Sequence, residues 1–179
     1  PAFSIIASNI RKRPRSRRKR TARENPMKIR IANRQKRLKI DSRRIRAKVS
    51  RILRWIDCAD KEISITLVDD EDIRLLNRQY LHRDKPTNVL SFSLQEGECG
   101  HVNPDLLGDI VISADTALRD AQRGQWSLEE EILFLIIHGL LHLTGYDHVR
   151  TSRADALKMK KREKELFGRL ALTGTPARR

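Results

Sequence analysis

His138, His142 and His148 are the side chains of this sequence best suited to hold a metal. The first two stand four residues apart, so a helix repeating every 3.6 residues puts both imidazoles on one face. Gly145 follows, and it can take the left-handed conformation that ends a helix. The chain turns there, and His148 can swing back towards the pair. Three neutral imidazoles meeting at one point describe a zinc site with an open fourth position, the form used in catalysis. Zinc held this way lowers the pKa of its bound water to about 7 and polarises a phosphoryl or carbonyl oxygen. One zinc per chain is expected.

The spacing equals that of the peptidase motif H-E-x-x-H-x-x-G-x-x-H, with one difference. Gly139 stands where those enzymes carry their glutamate base. The metal ligands are present and the peptidase base is not. Phosphodiester cleavage tolerates that loss, because a Lewis acid can stabilise charge on a phosphoryl oxygen without a protein base. A lone histidine on an apolar helix is more often a hydrogen-bonded core residue. Here two would be poorly solvated on one apolar helix, with a third at ligand spacing beyond the turn. Asp147, beside His148, either orients a ligand imidazole or hydrogen-bonds backbone within the turn.

The helix that must carry the pair spans Ser127 to Leu143. Ser127 is a good N-cap, Glu130 completes a capping box, and the glutamates of the first turn suit the positive end of the dipole. From Ile132 onward it is apolar nearly all round, which predicts burial. Upstream, Lys28 to Ala32 alternates like a half-exposed strand. Asp41 or Ser42 then caps a helix with Ile45, Val49, Ile52, Leu53 and Ile56 in one stripe. A strand over Ile63–Val68, a helix near Glu71–Tyr80 and a strand over Asn88–Leu94 follow. Glu96 to Asn103 reads as a loop, Asp109–Ser113 as a strand, and Ala114 to Gln122 as a short helix ending at Gly124. A charged helix from about Ser152 to Phe167 closes the series. The expected class is α+β: a small mixed four-stranded sheet covered by about five helices, with the metal site on a central helix and the turn after it. One domain over 27–168 is expected, with a basic tail at 1–26 and a short tail at 169–179.

His138 to His148, together with Asp84-Lys85-Pro86-Thr87-Asn88-Val89-Leu90-Ser91-Phe92, resembles the YbeY family of ribosomal RNA maturation factors. The likeness runs from about Met27 to Phe167 and includes Leu107 to Ile112, similar to the strand that precedes the metal helix there. It implies a metal-dependent, single-strand-specific endoribonuclease acting in small-subunit rRNA maturation and ribosome quality control. It implies zinc at His138, His142 and His148. The implied partners are pre-rRNA and the small ribosomal subunit, with a ribosomal protein beside them. One departure stands out. Many members carry an arginine directly after the tyrosine matching Tyr80, with a catalytic or RNA-positioning role, whereas this chain has Leu81 there. Arg83, two residues on, is the candidate to take that catalytic place, and Arg83 with Lys85 would hold substrate phosphates. Two other readings stay open: a non-catalytic pre-rRNA-binding assembly factor with structural zinc, and a metallopeptidase, which Gly139 disfavours.

Charge points to a polyanion independently. The chain carries net +15, and residues 1–54 hold 21 of its 38 Lys and Arg against only Glu24 and Asp41. Such a block binds nucleic acid through counterion release without reading sequence. Arg43, Arg44, Lys48, Arg51 and Arg54 on the first helix, beside Arg34, Lys36, Arg37 and Lys39, read as a phosphate track. The run Arg11 to Arg20 should be disordered alone. It reads equally as an RNA-binding arm, as a transit peptide, or as residues ahead of a true start at Met27. Aromatic residues are 4% of the chain, so stacking on bases should be minor beside phosphate contacts. Two cysteines, Cys58 and Cys99, fit a reducing compartment. With no secretory signal and no apolar run longer than Ile132–Ile137, a cytoplasmic protein without membrane attachment is expected.

Overall fold

A computed structural model describes residues 28–93, 105–146 and 152–172. In chain order these form β1 (Lys28–Asn33), α1 (Ser42–Trp55), β2 (Glu62–Val68), α2 (Asp70–Leu81), β3 (Val89–Ser93) and β4 (Leu106–Ser113). Three helices follow, α3 (Ala114–Gly124), α4 (Leu128–Leu143) and α5 (Arg153–Leu172). The fold is α+β, as expected. The sheet order is β1-β2-β4-β3. β1, β2 and β4 run parallel, and β3 lies antiparallel on β4 at one edge. A parallel β1–β2 pair needs a crossover, which α1 supplies.

Strand periodicity sorts the apolar side chains between two faces. Ile63, Ile65 and Leu67 of β2 and Ile110 and Ile112 of β4 enter the larger core, with the apolar sides of α1, α4 and α5. Val111 points the other way, joining Val68, Leu90, Phe92 and Ile73 of α2 in a smaller core. α4 is the centre of the larger one and packs against α1, α3, α5, β3 and β4. Its residues Ile132, Ile136, Ile137 and Leu140 have no exposed surface. No helix among the described residues is long and apolar enough to cross a membrane.

The element ends have local causes. The Asp41 carboxylate accepts from the N–H groups of Arg43 and Arg44 and starts α1. Ser127 and Glu130 form the expected capping box at the start of α4. α3 ends at Gly124 as read, but Gln125 takes the left-handed conformation, at φ 57°. α5 continues past Phe167 to Leu172, because Leu166 and Leu170 extend its buried stripe beyond Gly168. β4 begins at Leu106 rather than Asp109, its pairing with β2 continuing across an irregularity at Glu62/Ile63. Asp70 ties the start of α2 to the β4–α3 junction: Ser113 and Thr116 donate to its Oδ1 and Arg119 to its Oδ2. Burial alone would raise that carboxyl, but these donors hold it below the ordinary value.

Candidate metal centre and nucleic-acid cleft

His138 and His142 lie on the last two turns of α4, on the face that opens beside β3. Their Nε2 atoms stand 3.2 Å apart. Two nitrogens each bonded at 2.0–2.1 Å to a tetrahedral ion would be about 3.3 Å apart. The pair therefore fits a shared metal. The other nitrogen of His138 is already engaged: its Nδ1 meets Oε1 of Glu163 at 2.6 Å. A carboxylate on that side fixes the ring and directs Nε2 towards the partner imidazole, the usual support of a metal-binding histidine. Glu163 comes from α5 and is 8% exposed.

The turn after α4 follows the glycine rule. Gly145 has φ 91°, and its N–H donates to the His142 carbonyl while Tyr146 N–H donates to the Leu141 carbonyl. These two bonds form a Schellman motif and carry the chain away from the helix axis. His148 and Asp147, the remaining expected ligand and its neighbour, lie outside the described residues. Among the described residues no cluster of three or more potential ligands occurs.

Gly139 has a packing reason. A Cβ built on it would lie 2.9 Å from Ile110 Cδ1 and 2.9 Å from Ser91 Oγ. The absence of a side chain lets α4 settle directly on β3 and β4, bringing both histidines to the sheet edge. A glutamate at this position would have to displace the Ile110 and Ser91 side chains.

The histidines line a cleft of about 800 Å³, and Leu81, Arg83 and Lys85 line the same cleft. The segment bearing the two cations is held by Asn77, which is 2% exposed on α2. Its side-chain nitrogen donates to the Lys85 carbonyl at 2.7 Å, and its backbone carbonyl accepts from Arg83 N–H at 3.3 Å. His82, left-handed at φ 56°, lets the chain leave α2 in this direction. Farther along, Ser113 N–H donates to the Asn88 carbonyl. Tyr80 also borders the cleft, its ring edge-on to Phe92 with centroids 5.2 Å apart. The expected Arg83, Lys85, His138 and His142 are thus brought to one place.

Glu163 and Asn77 were absent from the sequence expectation. Both left a trace. Met159, Glu163, Leu166 and Leu170 are the buried residues of α5, so Glu163 is a charge at a stripe position. Asn77 likewise falls one turn after Ile73 on the buried side of α2.

Residues 30–171 match the family profile described as Endoribonuclease YbeY. A protein named Endoribonuclease YbeY from Syntrophus aciditrophicus is 56% identical over 141 residues, covering 79% of this chain and 88% of that one. Its namesake from Geobacter metallireducens is 48% identical over 148 residues, covering 83% and 99%. The solution structure of TM1509 from Thermotoga maritima has a similar fold, with a TM-score of 0.54 at 28% identity, covering 84% of this chain and 99% of that one. A profile match that spans the sheet, the cation-bearing segment and the helix of the histidine pair leaves one conclusion: the chain belongs to the YbeY endoribonuclease family.

Proposed function

We propose that this protein is a zinc-dependent, single-strand-specific endoribonuclease that acts in small-subunit rRNA maturation and ribosome quality control. The observation that carries the reading is the single cleft in which a histidine pair at ligand separation faces Arg83 and Lys85. His138, His142 and His148 are the residues that would hold one zinc ion. When bound, zinc would supply a Lewis acid for a phosphoryl oxygen and a water acidified to near neutrality.

The chain's own residues do the rest. Arg83 offers a planar fork of donors that suits two oxygens of one phosphate, and Lys85 offers a point charge two residues away. Their exposure to the cleft draws a polyanion in. The Asn77 bonds hold the backbone that carries both cations. Leu81, half-exposed in the same wall, contributes shape and no charge. Glu163 keeps the His138 ring in one orientation. Selectivity for single strands would rest on access, since a loop or end can splay its backbone and bases into a cleft that a paired helix presents only from outside.

The test is cleavage of unstructured RNA and of the matching perfect duplex by purified protein, with zinc and with chelator. Metal content is measured in parallel. Cutting confined to the single strand, abolished by chelator and by His142→Ala, is the expected result. A zinc-loaded protein that leaves unstructured RNA intact overturns the reading.

A further inference from the structure

The basic face of α1 is not used by the cleft. It sits at the β1 edge of the sheet, while the histidines and Arg83 sit at the β3 edge. Its charges are not equivalent. Arg44 and Lys48 are both bound to Glu129 of α4, at 3.1 and 2.7 Å. Arg51 lies over the Trp55 ring. Arg43 and Arg46 have no carboxylate within ion-pair distance among the described residues. They line a shallow groove of about 300 Å³ between α1 and β1, floored by Ile29, Ala47 and Ser50. Positions 43, 46, 47 and 50 fall at i, i+3, i+4 and i+7, so one helix face carries two cations beside two small side chains. The small residues let a backbone approach, and the two guanidinium groups then reach it from one rim.

We infer that this groove is a second RNA-backbone site, separate from the cutting cleft, in which Arg43 and Arg46 grip phosphates flanking the cleaved bond. The occupant is a phosphodiester chain because the groove offers unneutralised guanidinium groups, a hydroxyl and no aromatic surface. It offers nothing that would read a base. Glu129, which Arg44 and Lys48 of α1 meet, is thirteen residues from His142, roughly 20 Å along α4, so the helix that bears the groove meets α4 at the end away from the histidines. One strand can occupy both, and a very short one cannot. The site therefore selects for length of single strand and not for sequence, and it acts on affinity and not on chemistry. The inference rests on the endoribonuclease reading for its role in substrate choice, and on charge and shape alone for the binding.

The experiment uses the full chain with Arg43→Gln/Arg46→Gln. The control is Arg123→Gln/Lys158→Gln, which removes two exposed, ion-paired charges elsewhere. Binding of a long unstructured RNA is followed by fluorescence anisotropy across a salt series, and cleavage of that RNA is compared with cleavage of a tetranucleotide. Two single-strand phosphate contacts contribute about 1.4 to the slope of log K against log salt. At physiological salt that corresponds to about tenfold in affinity. The groove variant is expected to lose that slope and that affinity. Its KM should rise on the long RNA, with kcat unchanged and tetranucleotide cleavage unaffected. The control variant should change little. An unchanged salt slope and KM in the groove variant overturn the inference, as does an equal loss in the control. If the unsubstituted protein cuts neither RNA, the endoribonuclease reading fails, and the salt slopes still decide whether the groove binds.

Discussion

Replacing Glu163 should weaken metal binding without unfolding the protein. The carboxylate meets His138 Nδ1 at 2.6 Å on the side of the ring away from His142. Supporting partners of this kind are worth 10–100-fold in metal affinity, or about 1.4–2.7 kcal/mol. Glu163→Gln keeps an acceptor oxygen but loses its charge, and a charge-assisted bond is about twice as strong as a neutral one. The Gln variant should therefore lose about half of that free energy. Glu163→Leu removes the acceptor and should lose the whole of it. Fold stability should respond differently. The position belongs to the buried stripe Met159, Leu166 and Leu170. A leucine there gains about 1.5–3 kcal/mol of apolar burial. Against this stands about 1–3 kcal/mol for leaving the His138 N–H without its partner. The metal-free Leu variant should then melt near the parent. Zinc affinity by competition with a chromophoric chelator, beside metal-free thermal melts, separates the two effects. Zinc binding of parental strength in a folded Glu163→Leu protein would refute the assignment of Glu163 as the residue that positions His138.

Gly139→Ala should cost stability on balance, because close packing against Ile110 and Ser91 costs about 1–3 kcal/mol where helix propensity returns about 1. Adding Ile110→Val should recover part of the loss in a denaturant titration, and no loss at all would contradict the contact. Glu131 is held above the ordinary carboxylate value by burial first and by the Asp120 charge second. A raised folded pKa means a stability contribution complete below the unfolded pKa and lost as pH rises through the folded one. Glu131→Gln should therefore melt higher than the parent at neutral pH, with the gap closing below about pH 4; a gap independent of pH refutes it. Arg83→Ala should slow single-turnover cleavage with little loss of general RNA affinity, since a contact at the reacting phosphate matters most in the transition state. Deleting residues 1–26, with nine Lys and Arg, should do the reverse, and loss of turnover at saturating RNA in that truncation would contradict the division.

What could be read in advance was whatever neighbouring residues decide. Ser127 with Glu130, the apolar run after Ile132 and the glycine at 145 specify α4 and its exit within one stretch of chain, and the structure follows them. The α1 stripe and its Asp41 cap were equally local. Boundaries moved where packing carries an element through a glycine. Gly168 sits inside α5 because Leu170 is buried beyond it, and Gly108 sits inside β4 at φ 150° because the ladder to β2 continues past it. The contact between Glu163 and His138 joins residues 25 apart on two helices; the stripe of Met159, Leu166 and Leu170 turns Glu163 inward, but no local spacing says which side chain of α4 it meets. The role of Gly139 was similarly hidden: its sequence position announced a missing base, whereas its contacts with β3 and β4 show which side chains a base there would displace.

The two halves of the cleft rest on opposite faces of one strand. Val89 and Ser91 face α4, whereas Leu90 and Phe92 face α2 and Tyr80. The histidines belong to the first face and the Asn77-held cations to the second, so β3 lies between them and contributes to their separation. β3 is an edge strand, paired only with β4 among the described residues. A slip of one residue in that pairing would turn Phe92 towards Gly139 in place of Ser91, whose Oγ already lies 2.9 Å from a Cβ built there, and would take Phe92 out of the smaller core. The requirement for glycine at 139 thus does more than seat α4. It favours the register of β3 that the burial of Leu90 and Phe92 also favours, and so helps to keep the cation segment and the histidine pair on their own faces of the strand.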